Sequence, residues 1–124
     1  MSKEWEPETV FDVLESDVAR RILVLASREP KSADDLAAGC DASLPTVYRR
    51  VNVLLEYDFL TEDRELDADG NHYKTFETAL ERITFEIDGD GISASLDRRQ
   101  SILDQFEEFW SDLGESAAAS EEGT

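Results

Sequence analysis

Apolar residues recur with a helical period over the first half of the chain. Val18, Ile22 and Leu25 follow one another at intervals of four and three residues, which places them on one side of a helix. Ser16 precedes this stripe as a candidate N-cap, and Pro7 suits the first turn of an earlier, shorter helix. The pattern therefore predicts two helices within the first 27 residues.

A short helix and a longer helix are predicted after the connector that holds Pro30. Ser32 and Asp35 have the outline of a capping box, and Gly39 is the predicted end of the short helix. Ser43 is the predicted N-cap of the longer helix, which spans about residues 43–57. Two such helices joined by a tight link are typical of a helix-turn-helix.

After residue 60 the pattern changes from helical to extended. The segments 61–78 and 81–96 each hold a turn sequence, DADGN and DGDG, between stretches in which apolar and polar residues alternate. Two β-hairpins are therefore predicted. Because a hairpin that follows a helix-turn-helix is a wing, the predicted fold class is α+β, a winged helix-turn-helix with an additional β-hairpin, over residues 1–96.

The last apolar pattern is helical again. We expect a C-terminal helix over residues 97–114 and a disordered acidic tail over residues 115–124. Six large apolar side chains of this helix fall within about 120° of one another, which is more than one short helix normally buries in a small domain. The surplus predicts a homodimer interface, and the alternative is that the stripe belongs to the core alone. The predicted interface residues are Ile102, Leu103, Phe106, Phe109, Trp110 and Leu113.

The net charge of −18, from 30 acidic and 12 basic residues, would by itself argue against a nucleic-acid partner. The charge is uneven, however: residues 1–19 sum to −5, residues 20–74 to −3, and residues 75–124 to −10. An acid excess with only three Lys is typical of proteins from a salt-loaded cytoplasm, where a Debye length of about 3 Å at molar salt screens self-repulsion. The alternative is an acidic protein of an ordinary cytoplasm.

Several features predict a cytoplasmic protein with no membrane partner. No apolar run approaches the roughly 20 residues that a membrane span needs, and the first ten residues lack the shape of a signal peptide. The single cysteine, Cys40, cannot form an internal disulfide, which fits a reducing compartment.

The thirteen residues 43–55 contain no acidic residue, although about one residue in four of the chain is acidic. A helix that enters the major groove cannot carry carboxylates beside phosphates without a repulsive cost. We expect Leu44, Val47, Val51 and Leu54 to face the core, and Arg49 to fork onto the O6 and N7 atoms of a guanine from the other side. The predicted base-reading residues are Pro45, Thr46, Tyr48, Arg49 and Asn52.

Cations and helix N-termini around this helix are predicted to hold phosphates. The predicted phosphate contacts are Lys31, Ser32, Ser43, Arg50, Arg64, His72 and Lys74. Asp67 and Asp69 make the wing tip acidic, so its deep insertion into the minor groove is unfavourable. The alternative for Arg49 and Arg50 is that both are simply solvated surface residues.

The runs DVARRIL (17–23) and SADDLAAGCDASLPTVYRRVNVLLEYDFL (32–60) resemble the winged-helix core of the ArsR-like and PadR-like transcriptional regulators. They are particularly similar to the small acidic versions in haloarchaea. The resemblance covers about residues 10–78. It implies a transcriptional regulator that binds double-stranded DNA at promoters. The homodimer predicted from the last helix would place the recognition helices about 34 Å apart, which predicts a pseudo-palindromic site.

The recognition helix also departs from the family pattern. The family places a base-reading Arg at the position of Arg49, but Leu44 and Pro45 stand where it usually has polar residues. Asp58 stands where it usually has Gly, and Asp tolerates the left-handed conformation that this turn requires.

The sequence predicts neither a cofactor nor a metal, beyond potassium and chloride ions associated nonspecifically or at the DNA interface. Metal-sensing members of the ArsR group carry a Cys-x-Cys pair, whereas this chain has one Cys and one His. Cys40 is a candidate redox sensor, with the alternative that it is a small, partly buried apolar residue, because the adjacent Asp41 disfavours a thiolate.

An enzyme is not predicted, because the chain has no phosphate loop and no paired nucleophile and base. The alternative function is that of a winged-helix adaptor of the transcription machinery, which would bind proteins and never read bases.

Overall fold

A computed structural model describes residues 2–99 of the chain. Within this range the fold is α+β, with four helices and two small antiparallel sheets, an arrangement consistent with a winged helix-turn-helix. The helices are α1 (Pro7–Leu14), α2 (Asp17–Arg28), α3 (Ala33–Cys40) and α4 (Leu44–Glu56). The strands are β1 (Ser2–Trp5), β2 (Leu60–Leu66), β3 (His72–Thr78), β4 (Leu80–Asp88) and β5 (Gly91–Arg98).

Three of the helices begin at the serines that the sequence predicts as N-caps. The hydroxyl oxygens of Ser16, Ser32 and Ser43 each accept a hydrogen bond from the backbone N–H three residues further on, over 3.1, 3.2 and 3.4 Å. Each bond satisfies one of the N–H groups that a helix start leaves without a partner in the helix. The local sequence thus fixes where α2, α3 and α4 begin.

The end of α3 differs from the prediction. The helix continues through Gly39 to Cys40, and Asp41 takes the left-handed conformation that closes it, with φ of 52°. Gly39 has a different role: a Cβ atom there would lie 2.5 Å from Cδ1 of Leu25. The glycine therefore allows α3 to approach α2 closely.

The buried core lies where the helix-turn-helix meets the wing. Val47, Val51 and Leu54 of α4 are buried, as predicted. Leu44 is 39% exposed, so its predicted core position is wrong; it is the first residue of α4 and stands at the end of the stripe. The other large buried side chains include Ile22, Leu36, Phe59, Leu60, Phe76 and Leu96.

The wing is the two-stranded sheet of β2 and β3, and a backbone bridge ties it to the connector between α2 and α3. Lys31 N–H donates to the Phe76 carbonyl over 2.9 Å, and Phe76 N–H donates to the Lys31 carbonyl over 2.8 Å. Asp58, in the turn between α4 and β2, has φ of 61° and so adopts the left-handed conformation expected of it. The bridge and this turn fix the position of the wing relative to α3 and α4.

The second sheet has the strand order β1-β5-β4, and β1 was not predicted. β1 pairs with β5 antiparallel, with Trp5 opposite Ala94. The Trp5 ring makes edge contacts with Tyr57 and Phe59, at centroid distances of 5.9 and 5.7 Å. The start of the chain thus packs on the end of α4.

β5 also extends two residues further than the alternation suggests. Asp97 pairs with Arg82 and Arg98 pairs with Leu80, so the two residues expected to open the C-terminal helix end a strand. The predicted interface residues 102–113 and the predicted acidic tail lie outside the described residues. Among residues 2–99, no helix is long and apolar enough to cross a membrane.

Candidate nucleic-acid interface

One face of α4 is exposed and lacks acidic side chains over its first nine residues. Pro45, Tyr48, Arg49 and Asn52 are exposed at the spacing that aligns them along a helix. Tyr48 is 48% exposed, although it is aromatic. Glu56, the first acidic residue of the helix, comes only at its last position. Four of the five predicted base-reading residues therefore lie together on one accessible surface, which we call the α4 face.

Thr46, the fifth predicted base-reading residue, is half-buried and bonded within the helix start. Its hydroxyl oxygen accepts a hydrogen bond from the Ser43 hydroxyl over 3.0 Å, and its N–H donates to the same Ser43 oxygen over 3.4 Å. Pro45 has no N–H to offer. The first turn of α4 thus presents a phosphate with fewer backbone donors than an ordinary helix N-terminus.

Arg50 lies away from the α4 face and beside the junction of α1 and α2. It lines an open groove of about 440 Å³ together with Thr46 and three carboxylates, those of Asp12, Glu15 and Asp17. Its Nε atom is fully buried and has no hydrogen-bond partner among the described residues. A phosphate contact from Arg50 would therefore use the terminal nitrogens of its guanidinium rather than Nε.

The wing separates its cations from most of its acids through strand alternation. Arg64 stands directly opposite Lys74, and Leu66 stands opposite His72, so these four side chains share one face. Asp63 and Glu65 occupy neighbouring positions on β2 and therefore point to the opposite face. We call the side that bears Arg64, His72 and Lys74 the cationic wing face.

The lysines near the wing are already paired with carboxylates. Lys74 Nζ lies 3.6 Å from Glu62 Oε1, and Lys31 Nζ lies 2.7 Å from Glu29 Oε1. Since Lys31 bridges Phe76, only two residues along β3 from Lys74, the structure brings the two lysines to the same part of the wing. The sequence reasoning missed both ion pairs, although Glu29 lies two residues before Lys31.

The acidic wing tip uses its charge to hold the turn. One oxygen of the Asp67 side chain accepts hydrogen bonds from the N–H groups of Asp69 and Asn71, each over 2.9 Å. Gly70 has φ of 83°, which favours glycine. The Asp67 carboxylate therefore has a local structural role.

Ser32, another predicted phosphate contact, is half-buried. Its hydroxyl oxygen already accepts a hydrogen bond from the Asp35 N–H at the start of α3.

The Cys40 thiol lies at the end of α3, in a groove that it shares with Asp17 and Arg21. Burial raises the pKa of Cys40, and the negative charge of Asp17 raises it further, while the positive charge of Arg21 acts in the opposite direction. The raised pKa favours the neutral thiol, which is the less reactive form.

In the described part of the chain, no group of three or more His, Cys, Asp or Glu side chains could hold a metal ion.

Two arginines that the sequence left without a role stabilise the fold. Arg20 Nη1 donates to the Glu15 carbonyl over 3.0 Å, just past the last residue of α1. Arg99 Nη1 donates to the Ser27 carbonyl over 2.6 Å, near the end of α2. Cations near a helix C-terminus are favourable because they satisfy free carbonyls there.

Comparison with known proteins bears on the segment that contains this interface. Residues 14–63 match the family model described as a helix-turn-helix domain. No curated protein matches the chain. The matched segment runs from the end of α1 through α2, α3 and α4 into the first strand of the wing. The chain therefore carries a helix-turn-helix domain at residues 14–63, which supports its placement among helix-turn-helix, DNA-binding transcription regulators.

Proposed function

We propose that this protein is a sequence-specific transcriptional regulator of the ArsR-like and PadR-like type, which binds promoter DNA as a homodimer in a high-salt cytoplasm. The observation that carries the proposal is the α4 face. It exposes Tyr48, Arg49 and Asn52 together on the second helix of a helix-turn-helix, in a chain with net charge −18. An acid-free face in so acidic a chain is the surface on which a phosphate-lined groove is tolerated.

In this proposal α4 lies in the major groove and the wing contacts the backbone beside it. Arg49 supplies the bidentate contact to guanine, and Tyr48 and Asn52 read the adjacent base edges. The phosphates on the wing side are held by Arg64, His72 and Lys74 of the cationic wing face and by Lys31. The proposal includes no catalytic role and no cofactor.

The dimer part of the proposal rests on the sequence of residues 102–113. The surplus of their six large apolar side chains, beyond what one domain buries, forms the interface, which sets two α4 helices about 34 Å apart and requires a pseudo-palindromic site. A chain truncated before Ser101 is expected to be monomeric by light scattering in molar potassium chloride. A dimer of the truncated chain would assign the interface to another surface.

The salt setting rests on the acids that surround the proposed DNA contacts. Ordinary DNA-binding proteins lose affinity steeply as salt rises, because their cations displace condensed counterions from DNA. Acidic side chains close to phosphates take up cations on binding and offset that release. We therefore expect affinity to persist or increase up to molar potassium chloride, and a steep monotonic fall would contradict this part of the proposal.

The test of base reading compares Arg49→Ala with Arg82→Ala, a matched loss of an exposed arginine on β4. A preferred site is first selected from random duplexes or from chromatin immunoprecipitation with sequencing. Arg49→Ala is expected to lose about 1–3 kcal/mol of binding free energy on that site and much less on random DNA. If Arg49→Ala lost equal binding free energy on the preferred site and on random DNA, Arg49 would have a phosphate-contacting role rather than a base-reading one.

The adaptor alternative gives a different result in the same experiment. An adaptor of the transcription machinery would yield no selected site, and neither arginine variant would change its binding to DNA. The exposed Tyr48 is the one observation that supports this alternative, since exposed aromatic side chains are also common at protein interfaces.

A further inference from the structure

The second hairpin carries an apolar surface that extends beyond the core. Ile87 stands opposite Ile92, and Phe85 stands opposite Ala94, so these side chains share one face of the sheet. Ala94 is 2% exposed, whereas Phe85, Ile92 and Ile87 are 39%, 48% and 79% exposed. The face thus passes from buried to exposed towards the turn between β4 and β5.

Helix α1 widens this surface. The Phe11 ring stacks on Phe85 with a centroid distance of 4.9 Å and an angle of 19° between the rings, and Phe11 is itself 46% exposed. Phe11, Phe85, Ile87 and Ile92 form a continuous apolar patch, which we call the hairpin surface. Exposed apolar residues are common singly, but a contiguous group of four large ones marks a docking site.

We propose that the hairpin surface is the docking site for residues 102–113 of the same chain. The chemistry of this segment fits the surface, since its apolar positions recur at helical spacing with Asp104, Glu107, Glu108 and Asp112 on the remaining sides. Such a segment gains by covering apolar side chains with its stripe while its carboxylates remain in solvent. Its six apolar residues outnumber the four of the hairpin surface, so part of the stripe stays available for other contacts.

The chain length also fits this occupant. A twelve-residue helix over 102–113 would be about 18 Å long, and the strand from Ile92 to Arg98 covers about 20 Å. Arg99 is anchored at the base of the hairpin, where its N–H donates to the Ala79 carbonyl over 2.7 Å. Only Gln100 and Ser101 separate Arg99 from residue 102 in the sequence, and links of two or three residues commonly join a strand to a helix.

A short tether favours the chain's own segment over a second copy. Joining a segment to its docking site by a short linker gives an effective concentration in the millimolar range. A second copy must reach that concentration in solution and must also lose its free translation and rotation. The docking is therefore expected in the monomer, whether or not the protein dimerises on DNA.

The test uses the Trp5→Phe variant of the full chain, because Trp110 is then its sole tryptophan and lies within the docked segment. In molar potassium chloride its emission is expected to be blue-shifted and protected from acrylamide, to the same degree at all protein concentrations. Adding Ile87→Ser, or Ile92→Ser as a second variant, is expected to shift the emission to the red and to remove the protection. Ile87 is 79% exposed in the described structure, so this serine leaves the core intact, and thermal melting checks that it does.

The control is Leu66→Ser in the same background, because Leu66 is 61% exposed but lies on the wing. It is expected to leave Trp110 unchanged. A solvated Trp110 in the parent, or a Trp110 that Ile87→Ser does not affect, overturns the proposal. Protection that disappears on dilution, at the concentration where light scattering shows a dimer dissociating, assigns the surface to a second copy instead. Since no DNA is present, failure here is distinct from failure of the proposed regulator function.

Discussion

Lys74 and Glu62 lie diagonally across the two strands of the wing, with Nζ and Oε1 3.6 Å apart, on the face that also bears Arg64. If Lys74 contacts a phosphate, the phosphate must either displace the Glu62 carboxylate or share the Lys74 ammonium group with it. An exchange of one anion for another releases fewer counterions than the approach of a free lysine, and the displaced carboxylate takes up a cation. The Lys74–Glu62 ion pair thus makes a Lys74–phosphate contact weaker at low salt, and less sensitive to added salt, than the contact of an unpaired lysine.

Replacing Glu62 by Gln is expected to increase DNA affinity at low salt and to steepen its salt dependence. The variant frees the Lys74 charge, so the slope of log K against log salt should become more negative by about 1. Fluorescence anisotropy with a labelled duplex, over a range of potassium chloride concentrations, measures this slope.

Glu65→Gln is the matched control, because it removes the same charge from the same strand but on the opposite face of the wing. Glu65 accepts a hydrogen bond from the Tyr73 hydroxyl over 3.1 Å instead of pairing with Lys74. If the two variants change the slope equally, total charge rather than the Lys74 ion pair sets the salt dependence.

Helices α1 to α4 and both hairpins could be predicted from the sequence because their signals are local. Ser16, Ser32 and Ser43 cap their helices through contacts only three residues long. β1 could not be predicted in this way, since Ser2–Trp5 is a strand only because β5, about 90 residues later, offers it an edge. The two extra residues of β5 likewise depend on pairing with β4.

The α4 face could be predicted for the same reason, because 100° per residue separates Arg49 from Val47 and Val51 without reference to the rest of the fold. The same geometry places Arg50 off this face, but the acidic groove around Arg50 could not be predicted, since it is built by the α1–α2 junction. The ion pairs of Lys31 and Lys74 could not be predicted either, because they depend on the side-chain conformations of both partners in the folded chain.

Asp58 is expected to tolerate glycine but not valine. Its φ of 61° lies in the left-handed region, which costs an ordinary L-residue about 1–2 kcal/mol and glycine almost nothing. Asp58→Gly should leave the free energy of unfolding unchanged or raise it slightly, and Asp58→Val should lower it by about 1–2 kcal/mol. Urea unfolding in molar potassium chloride measures both, and equal stabilities would show that the turn relaxes without cost.

Trp5→Ala is expected to destabilise the domain even though Trp5 lies near the end of the chain. The substitution removes edge contacts with Tyr57 and Phe59 and weakens the anchoring of β1 to the core. Because Trp5 is half-buried, the expected loss is about 2 kcal/mol, below the range for a fully buried tryptophan. Trp5→Phe should retain most of the stability, and an unchanged unfolding midpoint for Trp5→Ala would mean that β1 contributes little.

Alkylation of Cys40 is expected to be slow at neutral pH and to accelerate with pH beyond the range in which an ordinary cysteine levels off. Burial is the main reason that the pKa of Cys40 is raised, so a smaller fraction of the thiol is thiolate at any given pH.

The two charged neighbours of Cys40 shift its pKa in opposite directions, so removing each charge should change the alkylation rate in opposite directions. Asp17→Asn removes a charge that raises the pKa and should speed the reaction, whereas Arg21→Gln removes one that lowers the pKa and should slow it. Rates with iodoacetamide, measured from pH 7 to 10, distinguish these cases. A Cys40 that reacts faster than free cysteine at pH 7 would support the redox-sensor hypothesis, because an accessible, stabilised thiolate gives that result.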